Sequence, residues 1–301
     1  MKEVNLYRIK QYLWQDQKIR TRIERDYFIE KNLSFEEFSD SVISSLNQPV
    51  KSIFRRVSNE EFFEAVVKAL GSNSRRWNLF SAQEPELKKL LYNYDPGKVY
   101  INWSEELAAE IKFFFPGQTR SNDVNAIFQW SKKLTYLKDF YQSHIMYLVF
   151  YLLEKSKSNI TLNDEHIFLL VCAFCSAPSN KLNFLEENYK AADYKFHGMS
   201  YTLSSELLRN LGWNGFKPDR HIKRLFNYWY RGKSQKIELE KIRFKEFLCS
   251  QQKPLDEFIN YSLIGYNITP DGFTYSEVDN LLWMFGSYVV KIGKEADFPI
   301  D

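Results

Sequence analysis

Asp219 is the residue in this chain whose type and position best suit chemistry, because it places an ionisable carboxylate at the start of a helix. Pro218 disfavours a helix through residues 215–217, which places Asp219 at or beside an N-cap. The following residues are apolar at positions i, i+3, i+4 and i+7, the pattern of a helix with one buried face (Ile222, Leu225, Phe226 and Trp229). A carboxylate held there can stabilise a developing positive charge, and it can equally be an ordinary capping residue.

A tight turn and an earlier helix start precede Asp219 along the chain. Gly198 can adopt positive φ, so it lets the backbone turn tightly and approach a ligand closely. The next helix is predicted to begin near Ser200 or Tyr201. The N–H groups of its first turn and its dipole suit a phosphate, so the sequence predicts an anion-binding turn here.

Residues 196–231 together resemble the helix-hairpin-helix DNA glycosylases, the HhH-GPD superfamily. The hairpin of that family runs roughly L-P-G-V-G-R-K-T-A, and residues 196–204 here read F-H-G-M-S-Y-T-L-S. The family continues with V-D-T-H-V-x-R, and residues 218–224 here read P-D-R-H-I-K-R. The Asp, the His and the Arg fall at the spacing of the family.

The resemblance implies an all-α fold, with a two-lobed helical core of the HhH-GPD glycosylase type and an N-terminal helical extension. We assign the extension to residues 1–110 and the core to residues 111–301. Within that core, the hairpin occupies residues 196–205 and the helix of the catalytic aspartate occupies residues 219–231.

The resemblance also implies a monofunctional DNA N-glycosylase, which flips a damaged or modified base out of double-stranded DNA and excises it, leaving an abasic site. Asp219 would then be catalytic and His221 structural, and Trp213 would line the base pocket. The DNA-binding residues would belong to the hairpin and to the basic face of the second helix: Gly198, Met199, Ser200, Tyr201, Thr202, Arg220, Lys223 and Arg231.

Two departures from the family pattern narrow the expected chemistry. Ser200 replaces the second hairpin glycine, which makes the turn less permissive. Thr202 stands where lyase members carry the lysine that forms a Schiff base, so we expect hydrolysis by water without strand cleavage.

We expect no cofactor. Residues 278–288 loosely resemble the helix that precedes an iron–sulfur loop in many relatives, but no cysteine follows them, so that cluster cannot form. Cys172 and Cys175 lack the further ligands of a zinc site and are predicted to be buried. Only a monovalent cation at the hairpin is left open.

Composition and charge constrain location and partners only weakly. The sequence pattern suits a cytoplasmic protein, and the apolar stretch 144–153 is too short to span a bilayer. The formal net charge is only +3, but basic residues concentrate between residues 217 and 245, where a phosphate backbone could bind. The alternative interpretation of that cluster is a solvated helix face.

Helix signals dominate the rest of the chain. Capping boxes are predicted at Ser34/Glu37 and Ser58/Glu61, and Ser104 is predicted to begin a further helix. More helices are predicted over residues 122–136, 139–154, 163–177 and 180–191. Residues 97–103 alternate in the manner of one short strand, and the turn at 116–117 is the best candidate for a boundary.

Two other functions remain open at this point. A helix-hairpin-helix protein can bind DNA without catalysis, in which case Asp219 would be incidental. An N-glycosidase could instead act on a free modified nucleotide, in which case the basic cluster would not contact DNA. The sequence identifies neither the excised base nor the biological role, for which base-excision repair and defence against phage with modified DNA are both candidates.

Overall fold

A computed structural model of the chain describes residues 4–46, 48–73, 77–159, 162–177, 191–230 and 253–290. These residues form helices joined by turns, and no strand occurs among them. The all-α class predicted from the sequence is therefore confirmed for these ranges. None of the helices in them is long and apolar enough to cross a membrane.

The chain divides into two compact units. Unit 1 comprises Met1–Val50, Asn214–Glu246 and Gln251–Asp301, and unit 2 comprises Lys51–Trp213 and Phe247–Ser250. The boundary that we predicted at residue 110 lies inside unit 2. Residue 110 itself lies within the helix Glu105–Phe114.

The helices of unit 1 come from both ends of the chain. They are α1 (Leu6–Gln15), α2 (Gln17–Asp26), α3 (Phe35–Leu46), α13 (Arg220–Trp229), α14 (Lys253–Ile268) and α15 (Tyr275–Met284). A π-helix, Phe285–Val289, continues α15. Two hydrogen bonds join the N-terminal and C-terminal parts of this unit: Val4 N to Ile268 O at 3.0 Å, and Tyr288 OH to Asp26 Oδ2 at 2.9 Å.

Unit 2 contains the central helices. They are α4 (Asn59–Gly71), α5 (Trp77–Leu90), α6 (Pro96–Ile101), α7 (Glu105–Phe114), α8 (Arg120–Tyr136), α9 (Tyr147–Asn159), α10 (Asp164–Ser176), α11 (Ala191–Tyr194) and α12 (Tyr201–Asn210). A 3-10 helix, Tyr92–Tyr94, precedes α6, and a π-helix, Tyr141–Met146, precedes α9.

The core of unit 2 has an aromatic centre next to the start of the predicted hairpin. The ring of Phe62 lies 5.4 Å from that of Trp130, 5.1 Å from that of Phe140 and 6.2 Å from that of Phe196. All four side chains are fully buried. Because Phe196 opens the hairpin, this packing anchors the hairpin in the core.

The side-chain caps predicted at three helix starts are present. Ser34 and Glu37 form the predicted reciprocal capping box. Ser58 accepts its predicted hydrogen bond from Glu61 N at 3.1 Å, but the Glu61 carboxylate pairs with Arg55 instead of completing the box. Ser104 caps α7 as predicted.

The strand predicted over residues 97–103 is wrong, because that segment is helix α6 followed by a turn. Asp95 caps this helix through a 3.0 Å hydrogen bond from Lys98 N, and Pro96 occupies the first turn, where a missing N–H does no harm. The helices predicted over 122–136, 139–154 and 163–177 are present, the second as a π-helix followed by α9. Residues 180–190 lie outside the described residues.

Candidate functional site

The predicted hairpin begins with a four-residue turn, Phe196–Met199. Met199 N donates to Phe196 O at 3.2 Å, and Gly198 has a φ of +72°. A Cβ on Gly198 would overlap with the Cβ of Ala126 on α8. Glycine is therefore required at this position for two independent reasons, a left-handed backbone and close contact with a helix.

Helix α8 supports the segment that leads into this turn. Trp130 Nε1 donates to the main-chain oxygen of His197 at 3.0 Å. Lys133 donates from its ammonium to main-chain oxygens just before the turn. Ala126, Trp130 and Lys133 lie at i, i+4 and i+7, so one face of α8 makes all three contacts.

Helix α10 holds both sides of the hairpin as well. Phe196 N donates to Cys175 O at 2.8 Å, at the C-terminal end of α10. A 2.7 Å hydrogen bond between the hydroxyls of Ser176 and Ser204 joins α10 to α12. Cys172 and Cys175 are buried as predicted, and burial raises the pKa of both thiols. These cysteines are core residues in the protonated form.

The N-terminus of α12 follows the turn directly. Ser200 is its N-cap with an extended backbone, and its side chain makes no capping hydrogen bond. Gly198 and Ser200 are exposed, whereas Tyr201 and Thr202 are half-buried in the first helical turn. Met199 differs from the others, because its side chain is buried and its amide is used inside the turn.

Asp219 lies in unit 1 and is the N-cap of α13. Its Oδ1 accepts hydrogen bonds from His221 N at 2.7 Å and from Ile222 N at 3.1 Å. The side chain is half-buried. These two hydrogen bonds hold the carboxylate in one orientation at the positive end of the helix dipole.

His221 and Arg224 fasten α13 to the π-helix that follows α15. Arg224 Nη2 donates to the main-chain oxygens of Gly286 and of Val290, the latter at 3.0 Å. His221 Nδ1 lies 3.3 Å from Gly286 O, and its ring meets that of Trp283 edge-on. Burial lowers the pKa of His221, so its imidazole is neutral near pH 7.

The predicted basic residues have different surroundings. Arg220 is exposed at the first position of α13. Lys223 is half-buried, with its ammonium 4.0 Å from a carboxylate oxygen of Glu257 and 5.7 Å from the ring centre of Tyr261. Arg231 lies outside the described residues, as does the rest of the basic cluster from residue 231 to residue 245.

Trp213, which we predicted to line a base pocket, is instead a core residue of unit 2. It is 2% exposed, and its indole N–H donates to Tyr141 OH at 2.9 Å. Its ring also packs 6.3 Å from that of Phe168. A buried indole whose single donor is already used has no free face for an incoming base.

The support that α8 gives to the hairpin was not predicted. Ala126, Trp130 and Lys133 do share a helical face, a signal that the sequence contains. The partner of that face lies more than fifty residues away, at residues 192–198, and helical periodicity does not identify partners. The contact of Arg224 with Gly286 escaped prediction for the same reason.

An open cavity lies among the described helices of unit 2. A cavity of about 810 Å³ lies between α5 and α7 in unit 2, lined by Leu90, Ala109, Phe113 and Phe114 together with Glu86, Lys89 and Glu110. None of the predicted site residues lines it. Within the described ranges, no group of three or more His, Cys, Asp or Glu side chains could hold a metal ion.

Comparisons with known proteins give no relative from which a function could be transferred: no family model, no curated protein and no solved structure matches this chain.

Proposed function

We propose that the protein is a monofunctional DNA N-glycosylase in which Asp219 is the catalytic carboxylate. The observation that carries the proposal is the way in which the Asp219 carboxylate is held in position. Two backbone N–H groups fix Oδ1 at a helix N-terminus, and His221 and Arg224 fasten the same helix to the rest of unit 1. A carboxylate held in a fixed orientation at a helix N-terminus is the kind of group that stabilises a cationic transition state.

The chemistry requires only water as a second reactant. The bond between C1′ of the sugar and the base nitrogen breaks, and the base leaves with the bonding electron pair. Positive charge then develops on C1′ and the ring oxygen, where a carboxylate such as Asp219 lowers the barrier. Water adds to C1′ and gives up a proton, which the Asp219 carboxylate accepts as general base. The nitrogen of the departing nucleobase takes up a proton. The products are a free base and an abasic site.

The hairpin of unit 2 is proposed to bind a phosphate of the DNA backbone. Gly198 and Ser200 are exposed, and the side chain of Ser200 leaves the start of α12 without a side-chain cap. Such a helix start favours an anion. Met199 supports the shape of the turn through its 3.2 Å bond to Phe196 O, so we assign its amide to the turn and not to the phosphate.

The absence of a lyase step follows from Thr202, whose hydroxyl cannot form a Schiff base. Lys133 is a half-buried lysine near the hairpin, but its ammonium donates to three main-chain oxygens. It is therefore a structural cation and not a nucleophile. Arg220, which is exposed in unit 1, carries a positive charge of the kind that attracts a phosphate backbone.

A non-catalytic DNA-binding protein is the second candidate, and one observation favours it. Asp16 caps α2 through bonds from Lys18 N and Ile19 N, the same arrangement that Asp219 makes with His221 N and Ile222 N. Capping geometry alone therefore does not distinguish a catalytic Asp219 from an ordinary one.

The experiment that separates these functions measures base release. The protein is incubated with phage DNA and with duplexes containing damaged or modified bases, and free bases are identified by mass spectrometry. Half of each sample is then treated with alkali to reveal abasic sites. We expect a free base together with strand breaks that need alkali.

Binding of the same duplexes without release of any base would contradict the proposal and support the non-catalytic candidate. A parallel incubation with free modified nucleotides tests the third possibility. Release from nucleotides but not from DNA would contradict the proposed substrate.

A further inference from the structure

Lys133 of α8 provides a cation in the immediate neighbourhood of the hairpin. Its ammonium donates to the main-chain oxygens of Ala192, Asp193 and Lys195 at 3.0, 2.9 and 2.8 Å. An ammonium has three N–H donors, so these three bonds use all of them. The three acceptors belong to one short segment, which leads directly into the turn at Phe196–Met199.

Two aromatic rings complete the surroundings of this ammonium. Its nitrogen lies 5.2 Å from the ring centre of Trp130 and 5.4 Å from that of Phe140. The electron-rich faces of such rings attract a cation. Three carbonyl oxygens and two ring faces form a site that suits a small cation, and the ammonium of Lys133 occupies this site.

The position of Lys133 on its helix connects this cation to the hairpin. Ala126, Trp130 and Lys133 share one face of α8 and contact successive parts of residues 192–198. Ala126 meets the Cα side of Gly198, and Trp130 binds the carbonyl of His197. Lys133 holds the three carbonyls before them, whereas the ring of Tyr194 in the same segment packs 5.4 Å from that of His144 and 5.6 Å from that of Phe174.

We propose that Lys133 is a positioning residue, a built-in cation that holds the carbonyls of residues 192–195 and thereby presents the hairpin to a phosphate. The part of this inference that concerns phosphate rests on the proposed function. The part that concerns the hairpin rests on the hydrogen bonds alone.

The order of the hairpin should depend on pH through the charge of Lys133. Burial lowers the pKa of Lys133 to about 8. A neutral amine has one N–H fewer and turns a lone pair toward a carbonyl oxygen, so the segment should loosen as the pH rises through that value. The other titratable or charged groups around the ammonium are Asp193, Tyr194, Lys195, His197, His144 and Cys175.

The neighbours with shifted pKa values do not titrate in the same range. Burial lowers the pKa of His197 to about 4 and also lowers that of His144. It raises the pKa of Tyr194 to about 12 and raises that of Cys175. A change in the hairpin near pH 8 would therefore report on Lys133.

The test combines substitution with chemical rescue. Lys133→Ala removes the ammonium, and Lys132→Ala, one residue earlier and exposed, is the matched control for loss of one positive charge. Hydrogen exchange is followed at the amides of Phe196 and Met199, whose bonds belong to the hairpin. We expect at least about tenfold faster exchange in Lys133→Ala and no change in the control. Ethylammonium, which has N–H donors, should restore slow exchange, whereas tetramethylammonium should not.

A second variant and an experiment on the unmodified protein keep the test decisive if Lys133→Ala folds poorly. Lys133→Met retains the apolar stem against the two rings and should show the same fast exchange. In the unmodified protein, the NMR signal of the Trp130 indole N–H, which is bonded to His197 O, should titrate with a midpoint of about 8. Unchanged exchange in both variants, or failure of ethylammonium to rescue, would overturn the inference.

DNA affinity then tests the link to phosphate. We expect Lys133→Ala and Lys133→Met to bind duplex DNA about tenfold more weakly than Lys132→Ala, in parallel with the exchange rates. Normal affinity despite fast exchange would overturn the link between Lys133 and the phosphate. If the proposed function is wrong, the unmodified protein will release no base. The effect of Lys133 on hydrogen exchange would still be observed and would support its positioning role.

Discussion

Asp219 and Asp16 cap their helices with the same geometry. In each, Oδ1 accepts hydrogen bonds from the backbone N–H groups two and three residues later, at 2.7 and 3.1 Å for Asp219 and at 2.8 and 3.2 Å for Asp16. Asp16 is exposed, whereas Asp219 is half-buried on a helix whose next turn is fastened to a π-helix. Asp16 is thus a control residue within the same unit for every experiment on Asp219.

Gly286→Ala should destabilise the protein by about 1–3 kcal/mol, because it crowds the contact between α13 and the π-helix. The new Cβ would lie 3.2 Å from Leu225 Cδ1, 3.3 Å from His221 Cβ and 3.4 Å from the main-chain oxygen of His221. The measurement is the free energy of unfolding in urea.

The control is Gly97→Ala in α6, where the new Cβ meets only an oxygen of Asp95, at 3.4 Å. Because alanine favours helix, this variant should be neutral or slightly stabilised. Equal stability of the two variants would contradict a tight contact at Gly286.

Gly198→Ala should destabilise the protein more than Gly117→Ala. Both glycines have positive φ, +72° and +115°, so both variants carry backbone strain of about 1–2 kcal/mol. Only Gly198 also faces a neighbour, Ala126, while the position of Gly117 is open. The difference between the two free energies of unfolding measures this clash, and no difference would mean that the hairpin can move away from α8.

Interactions between residues close in sequence could be predicted, whereas contacts between residues distant in sequence could not. Local chemistry was predictable: Asp219 caps α13, Ser104 caps α7, and the helical class follows from periodicity. The strand predicted over residues 97–103 is wrong, because Asp95 and Pro96 begin a helix there despite the alternating pattern that follows them.

The sequence does not identify which residues contact each other in the tertiary structure. Trp213 has the same side chain whether it lines a pocket or fills a core, and only its 2.9 Å bond to Tyr141 and its burial decide between them. The three carbonyl acceptors of Lys133 depend on a segment some sixty residues away that no local pattern connects to α8.

Stability should fall as the pH is lowered from about 6.5 toward 4. Burial lowers the pKa of His197 to about 4 from its ordinary value of 6.5. In this window the unfolded chain binds a proton that the folded protein does not, so acid favours unfolding; above 6.5 this contribution is constant. After allowance for partial exposure, we expect a loss on the order of 2 kcal/mol from this residue.

Urea unfolding at pH 6.5 and at pH 4.5 checks this expectation. His197→Gln, which cannot titrate, should lose less stability between the two pH values than the unmodified protein. An identical pH dependence in both would show that His197 is not the responsible group.

If the proposed function holds, strand cleavage should require alkali or a separate endonuclease, because Thr202 stands where the lyase members of the glycosylase family that residues 196–231 resemble carry a lysine. The measurements are gel analysis of the DNA with and without alkali, and trapping with borohydride during incubation with a DNA substrate. A covalent protein–DNA adduct would contradict the assignment directly, since it needs an amine that attacks C1′.

The most direct test of the central claim compares Asp219→Asn with Asp16→Asn. Asparagine caps helices about as well as aspartate, so both variants should retain their helix caps and unfold at nearly the temperature of the unmodified protein. We predict that Asp219→Asn binds DNA within a few-fold of normal but releases base at least about a hundredfold more slowly in single turnovers. Asp16→Asn should release base at the normal rate. Equal and normal rates for both variants would contradict the account, because Asp219 would then be a helix cap and nothing more.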